Sequence, residues 1–263
     1  MASWLHSDAA NVGAFHVSGL TKRYRHLTAL DEVSFSIRRG EVLGLIGPNG
    51  SGKTTLFECL GGVLPADRGR VLEGDRTLTA GECRSRVFYL PDGIARWTAQ
   101  TVSWTLEFAA GFFAPGSSGR AADAIAPPSP ADVVRDLDLA PLLDFAIGTL
   151  SKGQRKRVLL AIGLLAPQPV LLADEPFDGL DLRQTRDVGR TLRAHAASGR
   201  TLLLSIHQIP DAARVCDRFV LLSGGRVCGE GTLAELSALA AARRTGTPGT
   251  GDLEDVFLAL TES

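Results

Sequence analysis

The sequence predicts an α/β fold with a mostly parallel sheet, and two observations carry that prediction. The apolar run Val42–Ile46 leads into a glycine-rich stretch, residues 47–55, that opens a helix. From Leu150 onward, short apolar runs alternate with helical segments. Strands that alternate with helices build a parallel sheet covered on both faces, and ligands bind such sheets at the carboxyl ends of the strands.

The composition limits the class of protein. A chain of 263 residues with 44% hydrophobic content can form one α/β domain, or a core with a small subdomain. Its 28 basic and 29 acidic residues give a net charge near -1, which disfavours nucleic acid as a partner. The longest apolar run, residues 158–166, is too short to cross a membrane, and residues 1–6 show no secretory signal. We expect a cytosolic chain that serves any membrane process through a partner.

The glycine-rich stretch reads GPNGSGKTT and matches the pattern G-x-x-x-x-G-K-[ST]. Gly47, Gly50 and Gly52 let the backbone curl so that its N–H groups point at a polyphosphate. The Lys53 ammonium can reach the β- and γ-phosphates, and the Thr54 hydroxyl can bind Mg²⁺. The pattern therefore predicts a nucleoside triphosphate with magnesium as the ligand. The alternative is an ordinary glycine-rich turn.

The segments before and after this loop predict an antiparallel β-layer followed by the start of the parallel sheet. Residues 1–13 lack periodicity and are predicted to be a loose lead-in. Residues 14–93 form the first part of the core, with strands at 15–17 and 33–37. After the loop, we expect a helix (55–64, stopped by Pro65), a turn (67–70) and a strand (87–90).

Residues 94–149 have a helical pattern and predict a helical subdomain inserted into the core. Its helices are expected at 102–113 and 132–143, joined by a Pro-, Gly- and Ser-rich loop. The core then resumes over residues 150–236, and residues 237–263 form a helical tail. The second part of the core is predicted to contain helices at 154–165, 183–198 and 211–215 and strands at 170–173, 201–205 and 219–222.

Two adjacent carboxylates, Asp174 and Glu175, end a buried strand of the predicted sheet. In a phosphate-loop protein, Asp174 can support the magnesium ion and Glu175 can polarise the attacking water. The alternative is a pair of turn carboxylates that cap the next helix.

The stretch Leu150-Ser151-Lys152-Gly153-Gln154 opens a helix. It offers a capping serine, a small residue and free backbone N–H groups, so it can be a second phosphate-binding helix start. The same letters also fit a plain capping box. The residues alone leave both possibilities open.

The order of these motifs resembles the ATP-binding-cassette proteins. LSKGQRKRV is similar to that family's LSGGQ signature. The motifs also occur in the family's order: the phosphate loop, this signature, VLLADEP, the loop at residues 179–181, and His207 after a strand. The resemblance covers residues 15–236. It implies a phosphate-loop NTPase core that binds ATP with Mg²⁺ and hydrolyses it.

The resemblance also implies roles for individual residues. Tyr24 would stack on adenine, and Glu175 would be the general base. His207 would sense the γ-phosphate, and Asp181 would lie at a dimer contact. Alternatively, Tyr24 is only a surface aromatic residue and His207 is only a histidine at the end of a strand. The catalytic residues would be Glu175, His207 and Lys53, and the metal ligands Thr54, Asp92 and Asp174. The ATP-binding residues would be Tyr24, Gly47, Asn49, Gly50, Ser51, Gly52, Lys53, Thr54 and Thr55, with Ser151, Gly153 and Gln154 contacting the ATP of a second subunit.

Two positions depart from the family pattern. Lys152 replaces the first glycine of the signature, and Asp92 stands where the family usually has glutamine. As an oxygen ligand, Asp92 can still bind magnesium, directly or through water.

Three functions compete. The first is the ATPase subunit of a transporter, at the cytoplasmic face of the membrane, with a polytopic permease on another chain and a second ATPase subunit, most simply an identical one. The tail around residues 253–258 resembles export-type members. The second function is a soluble member of the same superfamily that does not act in transport. A switch GTPase is excluded because its N-K-x-D motif needs an asparagine that this chain, with asparagine only at 11 and 49, does not have at a fitting position.

Overall fold

The computed structural model describes residues 15–93, 98–114, 126–243 and 253–261, so the predicted lead-in lies outside the described residues. The strands are β1 (Phe15–Tyr24), β2 (Leu27–Ile37), β3 (Val42–Ile46), β4 (Arg68–Glu73), β5 (Arg76–Thr77), β6 (Val87–Leu90), β7 (Val170–Asp174), β8 (Thr201–Ile206), β9 (Arg218–Ser223) and β10 (Arg226–Gly231). The helices are α1 (Lys53–Leu60), α2 (Ala80–Arg86), α3 (Val102–Phe112), α4 (Pro130–Asp136), α5 (Lys152–Leu165), α6 (Leu182–Ala197), α7 (Ile209–Val215), α8 (Leu233–Arg243) and α9 (Leu253–Thr261).

These strands form two sheets. The smaller one is antiparallel, in the order β2-β1-β4-β5, and confirms the predicted N-terminal β-layer. The larger one has the order β10-β9-β3-β8-β7-β6. Its strands run parallel except β10, which is antiparallel to β9. The predicted α/β fold with a mostly parallel sheet is confirmed.

The two faces of the larger sheet pack into two hydrophobic clusters. In β3, Val42 and Ile46 join the cluster that contains the cores of α3, α5 and α6. Leu43 and Leu45 point the other way and join the cluster shared with α1 and the smaller sheet. Because successive side chains of a strand alternate between faces, an unbroken apolar run is buried on both sides.

Two predictions between the loop and β6 are wrong. The helix expected over 55–64 ends at Leu60, because Gly61 caps it and Gly62 follows with a φ of 67°. The turn expected over 67–70 is the start of β4. Gly69 has a φ of 85°, and a Cβ there would collide with the carbonyl oxygen of Gly19 on β1. This glycine permits close approach of two strands rather than a turn.

The helix expected over 132–143 is also wrong in extent. α4 ends at Asp136, and a separate 3₁₀ turn covers Ala140–Leu142. Between them, Asp138 has a φ of 51°, which the right-handed helix cannot accommodate. The Pro-, Gly- and Ser-rich loop lies partly outside the described residues, and the boundaries of the inserted subdomain, 94–149, stay a prediction.

α5 is anchored at its C-terminal end by a buried cation. The Arg200 guanidinium donates to the carbonyl oxygens of Leu164 at 2.8 Å and Gly163 at 2.9 Å. Burial lowers the pKa of Arg200 to about 9. A cation at this position satisfies the last carbonyl groups of the helix. Among the described helices, none has the length and apolar content needed to cross a membrane.

Candidate ATP-binding and hydrolysis site

Three neighbouring parallel strands bring the predicted site residues to one edge of the larger sheet. The glycine-rich loop follows β3, Asp174 ends β7, and His207 comes directly after β8. In the register of these strands, Ile46 lies opposite Ile206, and Asp174 lies opposite Ser205. The carboxyl ends of β3, β8 and β7 therefore meet, as expected for the ligand site of an α/β sheet.

Lys53 is the first residue of α1, and its side chain turns back over the loop. Its Nζ donates to the carbonyl oxygens of Gly47 at 2.7 Å and Pro48 at 3.1 Å. Burial lowers the pKa of Lys53, while the nearby charges of Glu175 and Asp174 act in the opposite direction. Both hydrogen-bond acceptors are neutral, so a phosphate anion is a stronger partner for this ammonium group.

The loop glycines serve different purposes. A Cβ at Gly47 would collide with the carbonyl oxygen of Leu222, and one at Gly52 would collide with that of Ala29. Gly50 has open space around it, but its φ of 79° favours glycine. Close packing therefore requires two of these glycines, and backbone conformation requires the third.

The start of α1 is open to an anion. Its N-cap, Gly52, has a φ of 105°, and no side chain caps the helix. The first N–H groups of such a helix lack internal partners and attract negative charge. Ser51 Oγ is buried and has no hydrogen-bond partner among the described residues. Asn49 and Thr54 are exposed, and Thr55 is half-buried.

A hydrogen-bond network joins the loop to the strand ends. Thr54 Oγ1 donates to Asp174 Oδ2 at 3.0 Å, and Ser205 Oγ donates to Asp174 Oδ1. Ser205 Oγ in turn accepts from the backbone N–H of Glu175 at 2.9 Å. Asp174 and Ser205 are both buried. Sequence reasoning missed Ser205; its signal was a hydroxyl that follows three leucines near the carboxyl end of β8.

The Glu175 carboxylate lies against the His207 imidazole, with 3.1 Å between His207 Nε2 and Glu175 Oε1. Glu175 also has a φ of 48°. Positive φ is uncommon for a residue with a side chain, and the strain it carries concentrates at functional sites. The network around Asp174 and this conformation together fix where the Glu175 backbone lies.

Asp92 pairs with a lysine on α5. It follows β6, and its carboxylate contacts Lys156, whose Nζ also donates to the backbone oxygen of Asp92 at 2.9 Å. The magnesium role of Asp92 stays a prediction. Near it, burial raises the pKa of the Tyr89 phenol, and the charge of Asp174 adds to that shift.

Tyr24 ends β1 with 42% of its surface exposed. Lys22 Nζ lies 5.7 Å from the centroid of its ring. An exposed aromatic ring is able to stack on a base, and this role also stays a prediction.

The stretch from Ser151 to Gln154 forms a complete capping box at the start of α5. Ser151 Oγ accepts from the Gln154 N–H at 3.2 Å, and Gln154 Oε1 accepts from the Ser151 N–H at 2.8 Å. A Cβ on Gly153 would lie 2.5 Å from the carbonyl oxygen of Gly179. The helix start therefore packs closely on the loop before α6, where Asp181 Oδ1 accepts from the Gln184 N–H at 2.8 Å.

Comparison with known proteins agrees with this geometry. The family model described as ABC transporter matches residues 30–178. The chain is 35% identical to Nod factor export ATP-binding protein I of Ralstonia nicotianae, over 84% of this chain and 67% of the relative. It is 36% identical to the sulfate/thiosulfate import ATP-binding protein CysA of Xanthomonas campestris pv. campestris, over 80% and 62%. It is 35% identical to the hemin import ATP-binding protein HmuV of Thermobifida fusca, over 88% and 80%.

Solved structures similar to this chain are also ATP-binding cassettes or subunits of ABC transporters. An ATP-binding subunit of an ABC transporter superposes with a TM-score of 0.77 at 27% identity, covering 94% of this chain and 98% of that one. A nucleotide-free ATP-binding cassette superposes with a TM-score of 0.70 at 26% identity, covering 84% and 91%. Fold and site thus define an ATP-binding cassette, a class of ATPase. The chain belongs to the ABC transporter family, and the resemblance stated from its motifs is confirmed. Its named relatives include both exporters and importers.

Proposed function

We propose that this chain is the ATP-hydrolysing subunit of a membrane transporter, peripheral to the cytoplasmic face and coupled to a polytopic permease on another chain. The observation that carries the proposal is the network from Thr54 through Asp174 and Ser205 to Glu175. It joins a phosphate loop to two carboxylates at a single sheet edge. The names of the relatives, which are ATP-binding proteins of import and export systems, support the transport role.

ATP with Mg²⁺ is the proposed ligand of this edge. The uncapped start of α1 and the unpartnered Ser51 hydroxyl suit a polyphosphate, and the Lys53 ammonium suits its terminal phosphates. Thr54 Oγ1 and Asp174 Oδ2 are the oxygen donors, 3.0 Å apart, that would hold the hard cation. When bound there, Mg²⁺ would neutralise phosphate charge. Tyr24 provides the proposed stacking surface for adenine.

Glu175 is the proposed general base. Ser205 holds the Glu175 backbone by accepting its N–H, and His207 holds one carboxylate oxygen at 3.1 Å. The other oxygen is left to take a proton from the attacking water as it adds to the γ-phosphorus, and the broken bond releases ADP and phosphate. His207 can also donate to the γ-phosphate.

The working unit is proposed to contain two cassettes, most simply two copies of this chain. Ser151, Gly153 and Gln154 of one copy would contact ATP held by the loop of the other, with Asp181 at the contact between copies. The family resemblance of this segment supports the pairing. A two-fold axis makes both ATP sites equivalent.

Export is the proposed direction, supported by the resemblance of the C-terminal tail to export-type members. Co-purification from membranes identifies the permease, and vesicles that contain both chains then give the direction. ATP-driven movement away from the ATP-containing side supports export. Movement toward that side contradicts it and leaves the ATPase assignment intact.

Replacing Lys53 with alanine tests the ATP site. The change removes a mobile cation from a cradle otherwise built of backbone donors, so we expect binding of a fluorescent ATP analogue to weaken at least about tenfold. Arg39→Ala, in an exposed turn, is the matched control and should bind normally. Unchanged affinity together with unchanged hydrolysis in Lys53→Ala would remove the loop from the active site.

A further inference from the structure

Three carboxylates converge beside the proposed catalytic edge. Asp92 follows β6, and Glu175 and Asp178 follow β7. One oxygen from each lies within 4.8 Å of the others. Like charges at this separation repel one another, and the repulsion is larger near a protein than in bulk water. A cluster of this kind needs positive charge to hold its members in place.

One face of α5 supplies that charge. Lys152 Nζ lies 2.5 Å from Asp178 Oδ2, and Lys156 Nζ contacts Asp92 Oδ1 and donates to its backbone oxygen at 2.9 Å. The two lysines are four residues apart, so they lie on the same face of the helix. α5 therefore neutralises two of the three carboxylates, and His207 Nε2 lies 3.1 Å from an oxygen of the third, Glu175.

The two lysine contacts differ in burial. The Lys156 side chain is 5% exposed, whereas that of Lys152 is 61% exposed. Solvent and salt screen an exposed pair strongly and a buried ammonium much less. Lys156 is therefore the main anchor of the cluster, and Lys152 is an auxiliary one.

We propose that Lys156, assisted by Lys152, is a positioning residue that holds Asp92 and Asp178 out of the chemistry. Asp174 then remains the carboxylate that serves the metal, and Glu175 the carboxylate that serves the water. The inference rests on the proposed function and sharpens it, because it replaces the magnesium role predicted for Asp92 with a charge pair to Lys156. It also joins the two departures from the family pattern: the carboxylate at Asp92 and the ammonium at Lys152 belong to one charge-balanced arrangement.

The test is Lys156→Gln, alone and combined with Asp92→Asn. In the single variant, Asp92 becomes an unneutralised carboxylate that attracts Mg²⁺ away from the productive position. We expect kcat to fall about tenfold and the Mg²⁺ concentration for half-maximal activity to rise severalfold, with ATP affinity within about twofold of wild type. Adding Asp92→Asn removes the stray charge and should restore kcat to within about threefold.

A second readout does not depend on activity. Without nucleotide, Lys156→Gln should bind Mn²⁺ measurably more tightly than wild type in a calorimetric titration, and Asp92→Asn should abolish the gain. The matched control is Arg190→Gln, which breaks an exposed pair with Asp187 on α6 and should change neither measurement. A purely structural role for Lys156 would lower the unfolding temperature without moving the Mg²⁺ or Mn²⁺ dependence.

Because Lys156 is buried, replacing it can also impair folding. The exposed pair of Lys152 and Asp178 therefore provides a second test. Lys152→Gln, with and without Asp178→Asn, should show the same loss and rescue at a smaller size, about threefold in kcat. If Asp92→Asn and Asp178→Asn fail to rescue, or if the metal dependence does not move, the inference is wrong. If hydrolysis disappears in Glu175→Gln while Lys156→Gln keeps the wild-type kcat and the wild-type Mg²⁺ dependence, this inference alone is overturned. Turnover retained in Glu175→Gln would overturn the proposed function as well.

Discussion

The starts of α1 and α5 are both proposed to meet phosphate, yet they are built in opposite ways. α1 begins at Gly52 with no side-chain cap, whereas α5 begins at Ser151 with a capping box that already uses the Gln154 N–H. On that proposal, a phosphate would enter the first site directly. At the second site it would have to replace an internal hydrogen bond that contributes about 1 kcal/mol. This difference suits α1 to independent capture of ATP and α5 to contact with ATP held elsewhere.

The two helix starts also differ in burial. The start of α1 lies beside the buried groups Lys53, Asp174 and Ser205 at the sheet edge. The start of α5 presents Ser151 and Lys152 to solvent. An exposed helix start whose N–H groups are capped by its own side chains is stable in a single chain and remains accessible to a second chain. The comparison therefore supports the proposal that binding and hydrolysis occur at the first region and pairing at the second.

The largest effect is expected from Glu175→Gln, which tests whether the sheet edge performs the chemistry. The amide keeps the shape of the side chain and cannot accept the proton, so hydrolysis should fall by about 10²–10⁴-fold. Binding of a fluorescent ATP analogue should be unchanged. Near wild-type turnover would require another base and would break the assignment of chemistry to this region.

A smaller loss, about 10²-fold in hydrolysis, is expected from Ser151→Arg, because a bulky cation at the start of α5 blocks the facing chain. ATP should still bind, since α1 is untouched. Light scattering in the Glu175→Gln background measures pairing. We expect a dimer with Mg²⁺ and ATP, a monomer with ADP, and a monomer with ATP once Ser151→Arg is added.

Ser198→Arg, at the exposed C-terminal end of α6, is the control for added bulk and charge and should pair normally. Normal mass and hydrolysis in Ser151→Arg would show that the two helix starts do not meet across a dimer.

The smallest effect of these three variants is expected from Ser205→Ala, which removes the hydroxyl that holds both Asp174 and the Glu175 backbone. We expect kcat to fall about tenfold while ATP affinity stays within about twofold, because the change touches positioning and leaves the loop intact. Ser198→Ala is the control. A loss of ATP affinity equal to the loss of kcat would assign Ser205 to binding instead.

The comparison of the two helix starts also indicates which features could be predicted from the sequence. The loop from Gly47 to Thr55 could be recognised from the sequence because its chemistry depends on residue types at fixed local spacing. The stretch from Ser151 to Gln154 was ambiguous, because a capping box and a phosphate-binding start use the same letters. Helix ends were harder to predict, since Gly62 and Asp138 have positive φ angles, 67° and 51°, that the local pattern does not specify.

The sequence by itself determined the family, the mostly parallel sheet and the order of the motifs along the chain. Those features follow from apolar periodicity and from local spacing, which each segment carries alone. Only the tertiary structure decided that Ser205 joins Asp174 to Glu175 and that Lys156 meets Asp92. These partners lie 30 or more residues apart. They meet because the register of β7 on β8, and the packing of α5 beside β6 and β7, bring them within hydrogen-bond reach.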